Sequence, residues 1–178
     1  MNRAVFLDRD GVLTRAPVID GTPCAPATLA EMEIDSDAPA ALALLKAAGF
    51  LLVVVTNQPI VARGEARRED VEAIHAALEV ALPLDACLVC YHDDADACGC
   101  RKPKPGMLLQ AAGAYGIDLA QSFMVGDRWR DIDAGAAAGC RTVWIDRGYR
   151  ERPPQHAPDA RVETLAAAAE WILANQIR

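Results

Sequence analysis

The stretch Ala4-Val5-Phe6-Leu7-Asp8-Arg9-Asp10-Gly11-Val12 decides the fold: four apolar residues stop at a carboxylate, a second carboxylate follows two positions on, and then comes a glycine. A continuous apolar run of this length suits a strand covered on both faces, as in a parallel sheet. The chain repeats the pattern, with runs rich in Val, Ile, Leu and Phe alternating with longer Ala-rich stretches of helical period. Strands are expected at Ala4 to Leu7, Leu51 to Val55, Ala86 to Cys90, Phe123 to Val125 and Thr142 to Ile145. Between and after them, Ala38 to Ala48, Arg68 to Val80, Gly106 to Tyr115, Asp131 to Ala138 and Val162 to Ala174 read as helices. The fold class predicted is α/β, a doubly wound parallel sheet with crossover helices. Function in such a sheet gathers at the carboxyl ends of the strands, where Asp8 and Asp10 stand.

Composition narrows the class of partner. The 178 residues are expected to form one domain, 1–178, large enough to need no disulfide staples. With 52% hydrophobic and 24% charged residues, and no apolar run near the ~20 residues of a membrane span, the composition is that of a soluble globular protein. A formal charge of -7 argues against nucleic acid or an anionic membrane as partner. The apolar stretch ending at Leu7 is too short for a signal peptide, so a cytoplasmic location is expected, and a monomer.

Two long connections break the alternation. Arg15 to Asp37 holds Pro17, Gly21, Pro23 and Pro26 and reads as an ordered loop over the edge of the sheet. Tyr91 to Pro105 is polar and carries cysteines and prolines.

The carboxylates form two groups. Asp8 and Asp10 follow the first strand; Asp127 and Asp131 follow the strand that ends at Val125-Gly126. Carboxylates crowded at neighbouring strand ends repel unless they share a cation, and an oxygen-only ligand set suits Mg²⁺, completed by waters and a substrate phosphate. Thr56 follows the second long strand directly, in Thr56-Asn57-Gln58, where a hydroxyl and backbone amides can hold a phosphoryl oxygen. Lys102, in Arg101-Lys102-Pro103-Lys104-Pro105, brings a cation just before a helix, in a segment stiffened by proline.

In order, these are Asp-x-Asp after strand one, Thr after a later strand, Lys before a helix, and Gly-Asp-x-x-x-Asp near the end. The set resembles the four motifs of haloacid dehalogenase (HAD) superfamily phosphatases and covers the chain from about Ala4 to Ala138. The Asp-Arg-Asp-Gly-Val opening, and the cysteine loop running into Cys100-Arg101-Lys102-Pro103, resemble the branch that holds heptose bisphosphate phosphatases and the histidinol-phosphatase domain. The resemblance implies that Asp8 is the nucleophile and Asp10 the general acid and then base. It implies that Thr56 and Lys102 neutralise phosphoryl oxygens, and that Asp8, the Asp10 carbonyl and Asp127 hold Mg²⁺ with Asp131 in support. Asn57, Gln58, Arg63, Arg101 and Arg128 are then expected to face the substrate, with Arg130 a further candidate for a second anionic group.

The expected substrate is a small phosphorylated sugar, the 7-phosphate of a heptose bisphosphate, with histidinol phosphate as alternative. Where this branch commonly continues Thr-Asn-Gln with Ser-Gly, this chain has Pro59-Ile60, which removes a backbone donor and a hydroxyl. The connections after Asp10 and Asn57 are too short for a cap domain, so a capless enzyme is expected. A phospho-accepting receiver domain also clusters Asp with Thr and Lys on such a sheet, but its phosphorylated Asp usually follows the third strand, not the first. A purely zinc-organised interaction module would leave the strand-end aspartates unexplained.

Of the six cysteines, four lie between Cys87 and Cys100. Cys90-x-His92 followed by Cys98-x-Cys100 offers four ligands on two short arms, the donor set of a closed, structural Zn²⁺ site. Cys87 lies three residues back in a strand and is left out. The expected task of this zinc is to hold the loop so that Arg101 and Lys102 face the substrate. Cys24 and Cys140 read as plain thiols, His75 and His156 carry no assigned role, and Trp129, Trp144 and Trp171 read as packing residues.

Overall fold

The computed structural model describes residues 1–176. Its centre is a six-stranded sheet in the order β5-β4-β1-β6-β7-β8, with every neighbouring pair parallel. The strands are β1 (Ala4–Leu7), β4 (Leu51–Asn57), β5 (Ala86–Cys90), β6 (Phe123–Gly126), β7 (Arg141–Ile145) and β8 (Ala160–Val162). Between β1 and β4, β2 (Val18–Ile19) and β3 (Thr22–Pro23) form a small antiparallel hairpin. The helices are α1 (Ala38–Ala47), α2 (Arg68–Ala81), α3 (Gly106–Tyr115), α4 (Trp129–Ala138) and α5 (Leu165–Ala174). The chain starts in the middle of the sheet, winds outward through β4 to β5, then returns across β1 to build β6, β7 and β8. Strand order therefore reverses at β1, and a crevice opens at its carboxyl end.

The uniformly apolar strands explain the layers. Side chains alternate between faces along a strand, so a strand buried on both sides must be apolar at every position. Val5, Leu7, Leu52 and Val54 pack on one face with residues of α1, α2 and α5. Ala4, Phe6, Val53, Val55 and Met124 pack on the other with α3 and α4. On the first face Phe50, Phe123 and Trp171 form an edge-to-face series, with ring centroids 5.9 and 6.1 Å apart.

The expected elements are present, with two corrections. Val162, read as the first residue of the last helix, ends β8, and that helix begins at Leu165 behind Thr164, whose hydroxyl accepts from the Ala167 amide at 3.1 Å. The hairpin β2–β3 lies inside the segment read as an ordered loop.

Gly135 shows how closely α4 lies on the sheet. A Cβ at this position would stand 2.6 Å from Met124 Cβ and 2.8 Å from Thr142 Cγ2. In an exposed helix interior Gly→Ala stabilises by about 1 kcal/mol. Here the sign is expected to reverse: Gly135→Ala should lose about 1–3 kcal/mol through overpacking. Chemical denaturation checks this, and a variant as stable as the parent or more so would show that helix and sheet are not in this contact.

Candidate active site

Strand register brings the motif residues together. Leu7 of β1 lies beside Val54 of β4 and Val125 of β6, so Asp8, Thr56 and Asp127 emerge at the same end of three adjacent strands. The Asp8 amide still donates to the Val125 carbonyl at 3.0 Å, which fixes the first carboxylate to the neighbouring strand. The chain then turns at Gly11, whose φ of 84° lies in the left-handed region. A Cβ there would fall 1.7 Å from Asp127 Oδ2, so only glycine lets the two acidic segments approach this closely.

At the base of the crevice, Asp8, Asp127 and Asp131 are all buried, and each offers a carboxylate oxygen within 4.8 Å of the others. Lys102 reaches them from the opposite loop. Its Nζ donates to Asp131 Oδ1 at 2.6 Å and pairs with Asp8 Oδ1 at 3.0 Å. Asp131 Oδ2 accepts the Arg128 amide at 3.0 Å, so both its oxygens are engaged within the protein. Asp127 Oδ2 accepts the Tyr149 hydroxyl at 2.8 Å, while its buried Oδ1 has no partner.

One ammonium does not balance three carboxylates. Burial, then the Asp131 carboxylate, pushes Asp8 up to about 6 against the pull of Lys102. Burial and the Asp8 charge hold Asp127 well above the usual carboxylate range. An all-oxygen donor set with a buried, unpartnered carboxylate oxygen and unbalanced negative charge fits a hard divalent cation.

Asp10 points into the same crevice and is held by four donors. Arg9 Nε and Nη2 reach its two oxygens, both at 2.9 Å, Thr14 Oγ1 reaches Oδ1 at 3.1 Å, and Gln58 Nε2 reaches Oδ2 at 2.8 Å. Gln58 also donates to Thr56 Oγ1 at 2.8 Å. One of the expected substrate contacts, Gln58, is thereby corrected. Gln58 is fully buried and orients Asp10 and Thr56 from behind. Asn57 spends its side chain on the Lys102 backbone, accepting its amide and donating to its carbonyl, both at 3.0 Å, although the residue lies on the crevice wall. The pair ties the end of β4 to the lysine loop.

Arg63, Arg101, Arg128 and Arg130 line the crevice, a cleft of about 490 Å³ also lined by β3 and the residues that follow it. Each arginine has an acidic partner. Arg63 forms a fork with Asp93 at 2.7 and 2.8 Å, Arg101 Nε donates to Asp94 at 2.8 Å, Arg130 pairs with Asp94 at 3.2 Å, and Arg128 pairs with Glu151. The Asp93 fork, helped by the Asp94 amide, holds that carboxyl well below the usual range.

Asp93 and Asp94 directly follow His92 in the cysteine loop. Cys90, His92, Cys98 and Cys100 converge, with Cys100 Sγ 3.2 Å from Cys90 Sγ, 3.4 Å from His92 Nδ1 and 3.5 Å from Cys98 Sγ. Four ligands about 2.3 Å from a tetrahedral metal stand ~3.7 Å apart, so this clustering fits Zn²⁺. Cys87 is not in the group.

Sequence reasoning missed Arg9, Tyr149, Glu151 and His75. His75 carried a usable signal: with Val71, Ile74 and Leu78 it completes the buried stripe of α2 at helical spacing. The others find their partners only through the fold.

The comparisons with known proteins agree with this geometry. The family model for HAD-hydrolase-like proteins matches residues 99–168. D-glycero-beta-D-manno-heptose-1,7-bisphosphate 7-phosphatase of Pseudomonas aeruginosa is 37% identical over 154 residues, covering 83% of this chain and 84% of that protein. D-glycero-D-manno-heptose-1,7-bisphosphate 7-phosphatase of Thermosynechococcus vestitus is 35% identical, covering 95% and 94%. The crystal structure of D,D-heptose 1,7-bisphosphate phosphatase from B. bronchiseptica complexed with magnesium and phosphate superposes with a TM-score of 0.82 at 33% identity, covering 97% of this chain and 98% of that one. With motif order, strand-end geometry and near full-length relatives in agreement, this chain belongs to the HAD-like hydrolases, in the family of the heptose-1,7-bisphosphate 7-phosphatases.

Proposed function

We propose that this chain is a magnesium-dependent phosphomonoesterase that removes the 7-phosphate of D-glycero-D-manno-heptose 1,7-bisphosphate through an aspartyl-phosphate on Asp8. The observation that carries the reading is the buried group in which Lys102 bridges Asp8 and Asp131 beside the unpartnered oxygen of Asp127. Asp8 lines the crevice with Oδ1 beside the Lys102 ammonium, whereas Asp131 has both oxygens engaged by Lys102 and the Arg128 amide. A relative of the same fold is bound to magnesium and phosphate, and the relatives' substrate favours a heptose over histidinol phosphate.

In the first half-reaction Asp8 attacks phosphorus, the ester P–O bond breaks, and Asp10 gives its proton to the leaving sugar oxygen. Lys102 and the Thr56 hydroxyl balance charge on the phosphoryl oxygens, and Asp131 keeps the lysine in place. In the second half-reaction Asp10 takes a proton from water as the water attacks phosphorus, releasing phosphate and restoring the Asp8 carboxylate. Asp8, the Asp10 carbonyl and Asp127 would hold Mg²⁺, with Asp131 in support; the ion supplies the charge neutralisation that lets a carboxylate approach a phosphate dianion. Arg63, Arg101, Arg128 and Arg130 give the open cleft the cationic wall that a second phosphate requires, once their acidic partners yield.

A Zn²⁺ held by Cys90, His92, Cys98 and Cys100 has all four positions filled by protein and acts structurally. It fixes the loop that carries Asp93, Asp94, Arg101 and Lys102. We assign the chain to the cytoplasm as a monomer of one domain, on the route to nucleotide-activated heptose for surface polysaccharide. Reduced thiols in the zinc set suit that compartment, and no helix among the described residues is long and apolar enough to cross a membrane.

A hydrolysis screen across both anomers of the heptose bisphosphate, histidinol phosphate and other sugar phosphates tests the substrate. One heptose anomer should exceed every other compound by at least about tenfold in kcat/KM. Comparable values throughout would leave only a general phosphatase. Asp8→Asn should reduce turnover by at least about 10³-fold with the fold intact. Metal analysis of the purified protein should find about one zinc per chain, lost in Cys98→Ser/Cys100→Ser together with thermal stability. Zinc retained by that variant would place the ion elsewhere.

A further inference from the structure

Arg9 and His75 take no part in the chemistry above, yet both are buried against it. Arg9 is fully buried between the two motif aspartates, and a guanidinium removed from water needs its donors matched. Two go to Asp10 as a planar fork, at 2.9 Å each. On the third side, Arg9 Nη1 lies 3.0 Å from His75 Nε2. Arginine has only donors, so the imidazole nitrogen must accept, which places the ring proton on Nδ1 and requires a neutral ring. Burial, then the Arg9 charge, pulls His75 down to about 4, so the ring is neutral wherever the enzyme would work.

The Arg9 backbone is held independently. Its carbonyl accepts from the Leu13 amide at 2.8 Å and the Thr14 amide at 3.0 Å, and its own amide donates to Asp8 Oδ1 at 2.8 Å. Removing the imidazole acceptor therefore leaves the loop in place and frees only the guanidinium. With a buried donor unmatched, the fork has reason to rotate, and the carboxyl plane of Asp10 rotates with it.

We infer that His75 is a positioning residue for catalysis: by accepting from Arg9 it locks the guanidinium whose fork sets the carboxyl plane of Asp10. The inference rests on Asp10 being the general acid. His75 stands 66 positions from Arg9 in sequence, on the buried stripe of α2 among Val71, Ile74 and Leu78. It is the polar member of that stripe, and its polar atom reaches the catalytic loop.

The test compares kcat/KM, which reports formation of the phosphoenzyme, on two kinds of ester. A sugar phosphate has a leaving oxygen that needs a proton; p-nitrophenyl phosphate has one that does not. His75→Phe, which keeps the ring volume but cannot accept, should lower kcat/KM on the sugar phosphate by roughly 10- to 100-fold, and on the nitrophenyl ester by less than about threefold. His75→Gln, whose amide oxygen reaches the Nε2 position, should restore the sugar phosphate to within about threefold of the parent. If the Phe variant does not fold, His75→Asn, whose amide stops short of Arg9, replaces it with the same expectation. Asp10→Asn serves as reference. If it shows no such leaving-group selectivity, the acid assignment falls and the inference with it. If Asp10→Asn is selective while His75→Phe matches the parent, or loses equally on both esters, the positioning role alone is wrong.

Discussion

Three carboxylates buried within 4.8 Å of one another, sharing a single ammonium, are the constraint on which the rest of the molecule depends. At that separation two like charges repel by at least about 3.5 kcal/mol at an effective dielectric of about 20. No fold gathers such a group for stability, since apolar residues would fill the space at lower cost. The architecture answers the repulsion locally. Lys102 is driven in from the loop before α3 and anchored by Asn57, Asp127 is tied to Tyr149, and Asp131 is tied to the start of α4. What remains unbalanced suits a divalent cation and a phosphoryl group, so the imbalance is itself the functional signal.

The loop opposite the sheet extends the same logic outward. The Cys90, His92, Cys98 and Cys100 cluster lies in a segment in which the two residues after His92, Asp93 and Asp94, pin three cleft arginines by their guanidinium groups. One loop thus positions both the lysine that pairs with Asp8 and the arginines that line the cleft. On the proposed reading, chemistry and recognition share one support, so a capless enzyme can orient a small substrate without a moving domain.

Much of this was legible in the sequence because the decisive residues stand at the carboxyl ends of strands that read clearly. Asp8, Thr56 and Asp127 each stand directly beyond an apolar run, and parallel pairing puts such positions at one edge whatever the details of packing. Cys90, His92, Cys98 and Cys100 were legible through spacing and donor type. The illegible parts have specific causes. β8 is three residues long with an exposed arginine in its middle, and each strand of the hairpin has two residues, below the length at which a period of two can be seen. Asn57 and Gln58 carry the right groups for a phosphate, but the direction of an amide depends on neighbours 45 or more residues away. His75 looked like a helix residue because its partner, Arg9, looked like an ordinary charged residue between two acids.

The central claim is that phosphate passes through Asp8. The most direct measurement is an acid quench of the magnesium-loaded enzyme during turnover of heptose bisphosphate, followed by peptide mapping by mass spectrometry. The account predicts a phosphoryl group on the peptide that contains Asp8, at the Asp8 side chain, and absent from Asp8→Asn. Turnover with no phosphorylated peptide at any quench time, or with the label on another residue, would contradict it.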